Sequence, residues 1–499
     1  MRRLPKFCLV WLIGLTWVAV GRGQETTKPE EGFSASPRRP NVLFLLADDQ
    51  RTDTIAAYGN STIQTPNLDG LVRRGFSLTN AYCLGSPHGA VCVPSRAMLH
   101  SGRSLFRLKN LNLDGEKLLG EYLQEAGYET FATGKWHNER PSFARSFQRG
   151  RNLMFGGMAN HAEVPIVQFS GEGFSRPQTG EHFSSKLFAD AAIEFLTERE
   201  KSRPFFCYVA FTAPHDPRMS PGTFNRMYQP AEMVVPKNFL PQHPFDIGDL
   251  TVRDENLAPW PRTREIIQQQ TADYYGLISH LDQQVGRVLE ALAASGQADN
   301  TIIVYAADHG LALGSHGLLG KQNLYEHSMK APLVIVGPGF ATGQNDTLVY
   351  LHDLFPTLLD CAGVNVPAEC DGRSLRPLVD GSGKYEARSS LFTAYKDTIR
   401  AIRDERWKLI RYPQIDRTQL FDLESDPDEM NDLSTSDDVT LHAVRARLWS
   451  QLEAAQKEVG DSQVLVVANP KPAEIDLTGH PRKPDQWQPK WIVEKYFAK

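Results

Sequence analysis

Six short clusters in this chain carry side chains able to do chemistry, and three of them directly follow an apolar run. Asp48 and Asp49 come after Asn41–Ala47, Asp308 and His309 after Thr301–Ala307, and Ala213-Pro214-His215-Asp216 after Pro204–Phe211. Adjacent carboxylates repel unless a cation neutralises them. Joined by Asp308 and His309, they make a hard, oxygen-dominated divalent site, suited to Ca²⁺ or Mg²⁺ rather than zinc. The imidazole of His309 leaves the identity of that metal less sharply defined.

The remaining clusters supply a nucleophile position and positive charge. In Cys92-Val93-Pro94-Ser95-Arg96, proline favours the first position of a helix, which predicts Cys92 just ahead of a helix N-terminus. The dipole and free amides there suit an anionic reaction centre. A cysteine in that place is usually a packed thiol. A thiolate nucleophile is the other option, but no cysteine-hydrolase pattern accompanies it. Lys135 and His137 occur in Thr133-Gly134-Lys135-Trp136-His137, two residues apart, and on a strand end they would face the same side. Lys321, in Gly320-Lys321-Gln322, lies twelve residues after His309. Together with Arg96 these lysines form a set of cations able to stabilise charge developing in a transition state.

The elements that must position these groups are legible as patterns. The three apolar runs suit interior strands of a mostly parallel sheet, buried on both faces. From Glu265 to Ala294, Tyr274, Leu277, Ile278, Leu281, Val285, Val288, Leu289 and Leu292 recur at helical steps. Such alternation predicts an α/β fold with helices sandwiching the sheet. In such sheets ligands bind beyond the carboxyl ends of strands, so three strands ending in carboxylates and imidazoles predict one shared site. After Ser389 short alternating segments appear at Ser390–Tyr395, Arg406–Tyr412 and Gln419–Leu423, with a helix expected near Val439–Val459.

The run Cys92-x-Pro94-Ser95-Arg96 resembles the signature of the type I, formylglycine-dependent sulfatases of the alkaline-phosphatase-like superfamily. Gly134-Lys135-Trp136-His137 and Ala213-Pro214-His215 resemble further elements of that family, in the same order. The resemblance covers roughly residues 40 to 430 and is nearest to choline-sulfatase, iduronate-2-sulfatase-like and polysaccharide sulfatases of bacteria. It implies that Cys92 is oxidised by a formylglycine-generating enzyme to an aldehyde whose hydrate attacks sulfur. The second hydroxyl of that hydrate then lets sulfate depart and regenerates the aldehyde. By the same resemblance Asp48, Asp49, Asp308, His309 and modified residue 92 hold Ca²⁺, with Mg²⁺ an alternative. Arg96 orients residue 92, Lys135 contacts sulfate, His137 assists collapse, and His215 and Lys321 surround the bridging oxygen. His215 is the expected proton donor to the leaving alcohol. The implied fold is a large mostly parallel sheet with a smaller C-terminal antiparallel-sheet subdomain.

The gross numbers narrow the function. Net charge is −5, and no basic cluster interleaved with aromatics announces a nucleic-acid partner. Residues 1–23 show a basic start, a short apolar run and a small-residue exit, the pattern of a secretory signal rather than a stable membrane span. Losing them removes four basic residues and no acids, which takes the net charge to −9. The expected organisation is a signal peptide (1–23), a disordered leader (24–39), a catalytic domain (40–388), a C-terminal subdomain (389–468) and a tail (469–499) that wraps the domain or meets another subunit. Export places the enzyme in the periplasm or outside the cell and favours a sulfated carbohydrate over a small ester such as choline sulfate, for which no aromatic cage is evident. Other readings are a phosphonate or phosphodiester hydrolase of the same superfamily and a silent sulfate-binding protein with unmodified Cys92. Cys361 and Cys370 close a short loop and are expected to form a disulfide, while Cys207 reads as a buried apolar residue. Arg51, Asn138, His161, Glu181 and His182 are candidates for the substrate pocket, and Phe155–Met158 for a tight loop beside it.

Overall fold

Five strands lie side by side and parallel at the centre of a ten-stranded sheet: Thr301–Ala307, Asn41–Ala47, Phe205–Ala210, Glu129–Lys135 and Arg149–Met154, in that spatial order. The structure is a computed structural model and describes residues 39–497; the signal-like segment and nearly all of the leader lie outside the described residues. Every residue of Asn41–Ala47, Phe205–Ala210 and Thr301–Ala307 is buried. This is why the runs show no polar alternation, and each large apolar side chain so buried contributes about 1.5–3 kcal/mol. Antiparallel strands flank the parallel core on both sides, Leu333–Val336 against Thr301–Ala307 and Pro165–Phe169 against Arg149–Met154.

Helices cover the sheet in two packed groups. One joins Pro66–Arg74 and Ser184–Glu198 to the long helix Arg264–Ala294, and the other joins Cys92–Ser101, Leu119–Glu125 and Leu354–Cys361. The long helix begins one residue before the expected start, with the Thr263 side chain accepting from Ile266 N at 3.3 Å as its cap. Its periodic residues face the core, Leu289 being the one only partly buried. Among the described residues no helix is long and apolar enough to cross a membrane.

A second sheet is built from Leu391–Tyr395, Ile399–Arg403, Trp407–Tyr412 and Arg417–Asp422, all antiparallel. Helix Val439–Val459 packs Leu448 and Leu452 onto Phe392, Ile402, Leu409 and Leu420. Ile399–Arg403 escapes the pattern reading because it buries an arginine on each face, both held by ion pairs, Arg400 to Asp461 at 2.6 Å and Arg403 to Glu326 at 3.3 Å. A fifth strand, Gly85–Ser86, joins this sheet in parallel with Ala394–Tyr395 just before Cys92. The segment from Lys471 onward runs along Gln414, Gln242 and Trp260, and its helix Lys490–Tyr496 docks on Met219.

Cys207 is buried as expected. The expected disulfide does not form: Cys361 and Cys370 are free, and the Cys370 thiol turns toward the carbonyls of Gly102, at 3.6 Å, and Gly372, at 3.8 Å.

Lys135 owes its position to Gly134. The register shifts between Thr133 and Gly134, whose φ is +94°, and a Cβ there would lie 1.9 Å from the Ala210 carbonyl oxygen. Gly134→Ala is therefore expected to destabilise the fold by about 1–3 kcal/mol and to lower activity more than the stability loss explains. Denaturant unfolding beside an activity assay on the folded fraction checks this; unchanged unfolding and turnover would remove the bulge from the account.

Candidate active site

The parallel register brings the predicted residues to one edge. Ala47 pairs with Ala307, so Asp48 and Asp308 emerge side by side, and Asp308 N donates to the Ala47 carbonyl at 3.2 Å. Asp48 N donates to Ala213 O at 3.1 Å, which ties in the loop carrying His215. Asp49 turns back with φ of +67°, a conformation a short polar side chain tolerates. Its N–H donates to Asp308 Oδ1 at 3.1 Å, and its carbonyl accepts from Tyr274 Oη at 2.6 Å. The long helix thus clamps the aspartate pair through Tyr274.

Cys92 opens helix Cys92–Ser101 rather than preceding it, and Pro94 is its third residue. The first helical bond runs from Ser95 N to Val91 O at 3.2 Å. The amide proline lacks has no partner in the first turn, so proline fits there as well as at the first position. Ser95 Oγ donates to Asp308 O at 2.7 Å and Asn138 Nδ2 to Val93 O at 3.1 Å, which anchors the helix start from two sides.

Asp48, Asp49, Cys92, Asp308 and His309 offer ligand atoms that all lie within 4.8 Å of one another, every residue buried. Ligand distances of about 2.0–2.6 Å put opposite donors about 4.0–5.2 Å apart, so the cluster has the dimensions of a site for a hard divalent cation. His309 Nδ1 donates to the Gly310 carbonyl at 2.9 Å, which leaves the Nε2 lone pair facing Cys92 Sγ at 3.2 Å and Asp49 Oδ1 at 3.4 Å. Asp48 Oδ1 is buried without a hydrogen-bond partner, an acceptor that a cation would satisfy.

Three cations face the three carboxylates. Lys135 Nζ lies 2.5 Å from Asp48, Lys321 Nζ lies 2.6 Å from Asp49, and Arg96 Nε lies 3.1 Å from Asp308. Burial opposes the charge of Asp48, but Lys135, His215, Arg96 and Lys321 outweigh it and hold its carboxyl well below the usual range. Burial likewise opposes the charge of Lys321, and Asp49 with its neighbours overcomes it and raises the lysine. Burial and then Asp48 push the Cys92 thiol well above its ordinary value.

His215 Nδ1 donates to the Asp216 carbonyl at 2.9 Å, so Nε2 faces the cluster, 3.7 Å from Asp49 Oδ2. His137 lies beyond the strand, which ends at Lys135, and its φ is +72°. A turn, not the strand pleat, therefore aims its ring. Nδ1 of that ring is buried without a partner, and Gly157 lies against the ring edge, as expected for the Phe155–Met158 loop. Burial, with Lys135 and Arg96 nearby, keeps His137 well below its ordinary value.

The pocket candidates mostly have structural duties. His161 bridges Ser184 Oγ at 2.7 Å and the His215 carbonyl at 2.8 Å, and Asn138 holds backbone carbonyls. Arg51 pairs with Asp53 and donates to the carbonyls of Leu311 and Ala312, and Glu181 and His182 are exposed. Pattern reading overlooked Arg253, Asp254 and Gln322. Arg253 pairs with Asp216, and Asp254 accepts from Gln322 at 2.7 Å and lies 3.7 Å from Lys321. Gln322 borders Lys321 in sequence, but nothing local marks Arg253 or Asp254.

Residues 40–364 match the sulfatase family. The chain belongs to that family. It is a sulfuric ester hydrolase with the alkaline-phosphatase-like fold. Residues 314–458 of this sulfatase also match the C-terminal region of N-sulphoglucosamine sulphohydrolase. It is 28% identical to an N-acetylglucosamine-6-O-sulfatase of Bacteroides thetaiotaomicron, across 85% of this chain and 88% of the relative. It is 29% identical to a choline-sulfatase of Rhizobium meliloti, across 85% and 90%. Among solved structures, one in complex with its substrate D-glucosamine-2-N,6-O-disulfate superposes with a TM-score of 0.73 at 25% identity, covering 85% of this sulfatase and 99% of that chain.

Removing one carboxylate should weaken the metal site. Asp48→Asn or Asp308→Asn is expected to lower divalent-cation affinity by at least about 10–100-fold, the loss that removal of even an outer-shell partner causes. Activity should fall in step and recover partly at high Ca²⁺. Isothermal titration with Ca²⁺ alone, beside activity, checks this; wild-type affinity in both variants would remove the cluster as the metal site.

Proposed function

We propose that this sulfatase is exported, binds Ca²⁺ and uses residue 92 as formylglycine to hydrolyse a sulfate ester of a carbohydrate to inorganic sulfate and alcohol. The observation that carries this reading is the place of Cys92. Its Sγ lies 3.2 Å from His309 Nε2 and 3.6 Å from Asp49 Oδ1, inside a cluster of hard oxygen donors. A thiol is a soft ligand and a poor match for such a cluster, whereas an oxygen at that position fits it. The Sγ atom therefore stands for the formylglycine oxygens.

When present, formylglycine supplies a hydrated aldehyde, one hydroxyl for attack on sulfur and a second for expelling sulfate, and the divalent ion supplies Lewis-acid polarisation. The chain's own residues do the rest. Three carboxylates against three cations leave the bare site near neutrality. A dication then makes it electropositive, which draws in the anionic ester. Lys135 holds a sulfonyl oxygen, Lys321 stabilises charge beside the bridging oxygen, and Arg96 fixes the helix start that carries residue 92. His137 takes the proton from the second hydroxyl as sulfate leaves. His215 delivers the proton on Nε2 to the alcohol oxygen as the S–O bond breaks. The carbohydrate substrate is supported by the sugar sulfatases among the relatives, including the structure holding a glucosamine disulfate. The signal-like residues 1–23 support export.

Peptide mass spectrometry around residue 92 should show a loss of about 18 Da, the difference expected from a Cys→formylglycine conversion that keeps only the aldehyde oxygen. Cys92→Ala should fold and not turn over. Unmodified Cys92 in active enzyme would overturn the nucleophile, and a preference for a phosphonate ester over a sulfate ester would overturn the substrate class.

Proton delivery should matter most for poor leaving groups. His215→Ala is expected to lose roughly 10²–10⁴-fold on a sugar sulfate and far less on 4-nitrophenyl sulfate, which leaves as a stable phenolate. Lys321→Ala should change both in the same direction but more weakly. Steady-state kinetics on the two substrates decides: equal losses would make His215 a sulfate-binding residue.

A further inference from the structure

Behind His215, on the side away from the metal cluster, a polar chain runs into the C-terminal segment. His215 Nδ1 faces Asp216, 2.9 Å from its carbonyl oxygen and 3.3 Å from Oδ1. Arg253 grips both carboxylate oxygens of Asp216, one at 2.9 Å through Nη1 and the other through Nη2. Asp485 accepts from Arg253 Nε at 2.8 Å, and Gln488 Nε2 donates to Asp216 Oδ2 at 2.8 Å. Asp216 and Gln488 are buried, so their bond is no loose surface contact, and the Arg253–Asp485 pair beside it is half-buried. The segment is fastened at both ends: Arg482 Nη1 donates to Asn256 O at 3.2 Å, and beyond Gln488 Lys495 Nζ lies 2.6 Å from Asp273. Ile492 and Tyr496 pack on Met219, three residues after Asp216.

We propose that Asp485 and Gln488 are positioning residues of the active site: by locking Asp216 and Arg253 they fix the ring of His215 with Nε2 aimed at the ester oxygen. Without them Asp216 keeps Arg253 but its carboxylate can swing, and Nδ1 loses the Oδ1 contact at 3.3 Å that fixes the ring beyond its single bond to the Asp216 carbonyl. Misplacement of a catalytic group by about 1 Å from a distance costs roughly 10²-fold. The role given to His215 rests on the proposed function, whereas its positioning by the tail is tested separately.

The test is a mutant cycle in the full-length, metal-loaded enzyme, with 4-nitrophenyl sulfate and phenyl sulfate, whose leaving phenolate is the more basic. Asp485→Asn with Gln488→Ala should lower kcat on phenyl sulfate roughly 10- to 100-fold and on 4-nitrophenyl sulfate far less. In a His215→Ala background the same two substitutions should cost nothing further, since residues acting through one partner are not additive. Lys490→Ala, on the same segment but outside the chain of contacts, should behave as wild type. Thermal unfolding of every variant is followed alongside. If the double variant unfolds at assay temperature, Gln488→Ala alone carries the cycle, because it leaves the Arg253–Asp485 pair intact. Equal losses in the wild-type and His215→Ala backgrounds, or no loss in either, would overturn the proposal. If the coupling appears but His215→Ala lacks leaving-group dependence, the proton-donor role fails and the positioning by the tail stands.

Discussion

Three buried carboxylates at one sheet edge repel one another, and everything around the site answers that repulsion. Asp48, Asp49 and Asp308 are all buried, and each has a cation within 3.1 Å. The partner cations come from three separate elements: Arg96 from a helix, Lys135 from a strand end and Lys321 from a loop. Charge neutrality therefore joins distant parts of the chain, and removing one member leaves an uncompensated buried charge, a change that costs about 3–5 kcal/mol in other buried pairs. The same arrangement is preorganised for chemistry, because its dipoles and charges are already in place when the ester arrives.

Function follows from the gap between what the cluster wants and what Cys92 offers. Hard donors surround a soft sulfur, and burial pushes that thiol well above its ordinary value. Conversion to an oxygen-bearing group resolves both conflicts at once. The second sheet takes part in this geometry, because Gly85–Ser86 pairs with Ala394–Tyr395 only a few residues before Cys92. A Cβ at Gly85 would lie 1.8 Å from the Ala394 carbonyl oxygen, so only glycine lets the two backbones meet there. The C-terminal region is thereby tied to the start of the catalytic helix as well as to His215.

Much of the molecule was legible in sequence for simple physical reasons. Strands buried on both faces must be continuously apolar, and the three runs read that way each became a central strand within a residue or two of the expected bounds. A long helix with one buried face shows its period, and Arg264–Ala294 did. Groups that need strand ends, such as Asp48, Asp308 and His215, were found because local sequence specifies where a strand stops. Nine of the ten residues expected to carry catalysis and metal binding lie in contact about this edge, whereas the His137 ring has Nδ1 buried without a partner and makes no hydrogen bond to the cluster.

Only tertiary structure decided which polar residues act on the site and which hold the scaffold. His161 and Asn138 look as capable as His215 in sequence, yet they hold the His215 carbonyl and the start of the catalytic helix. Whether Cys361 and Cys370 bond depends on where each thiol points, a property of packing and not of spacing. Arg253 with Asp485 and Gln488 is the clearest case, since 232 residues separate Arg253 from Asp485. Local sequence determines helices, strands and their ends because those depend on neighbours along the chain. A polar side chain's duty depends on which partner folding delivers to it, and that partner is set by the path of the whole chain.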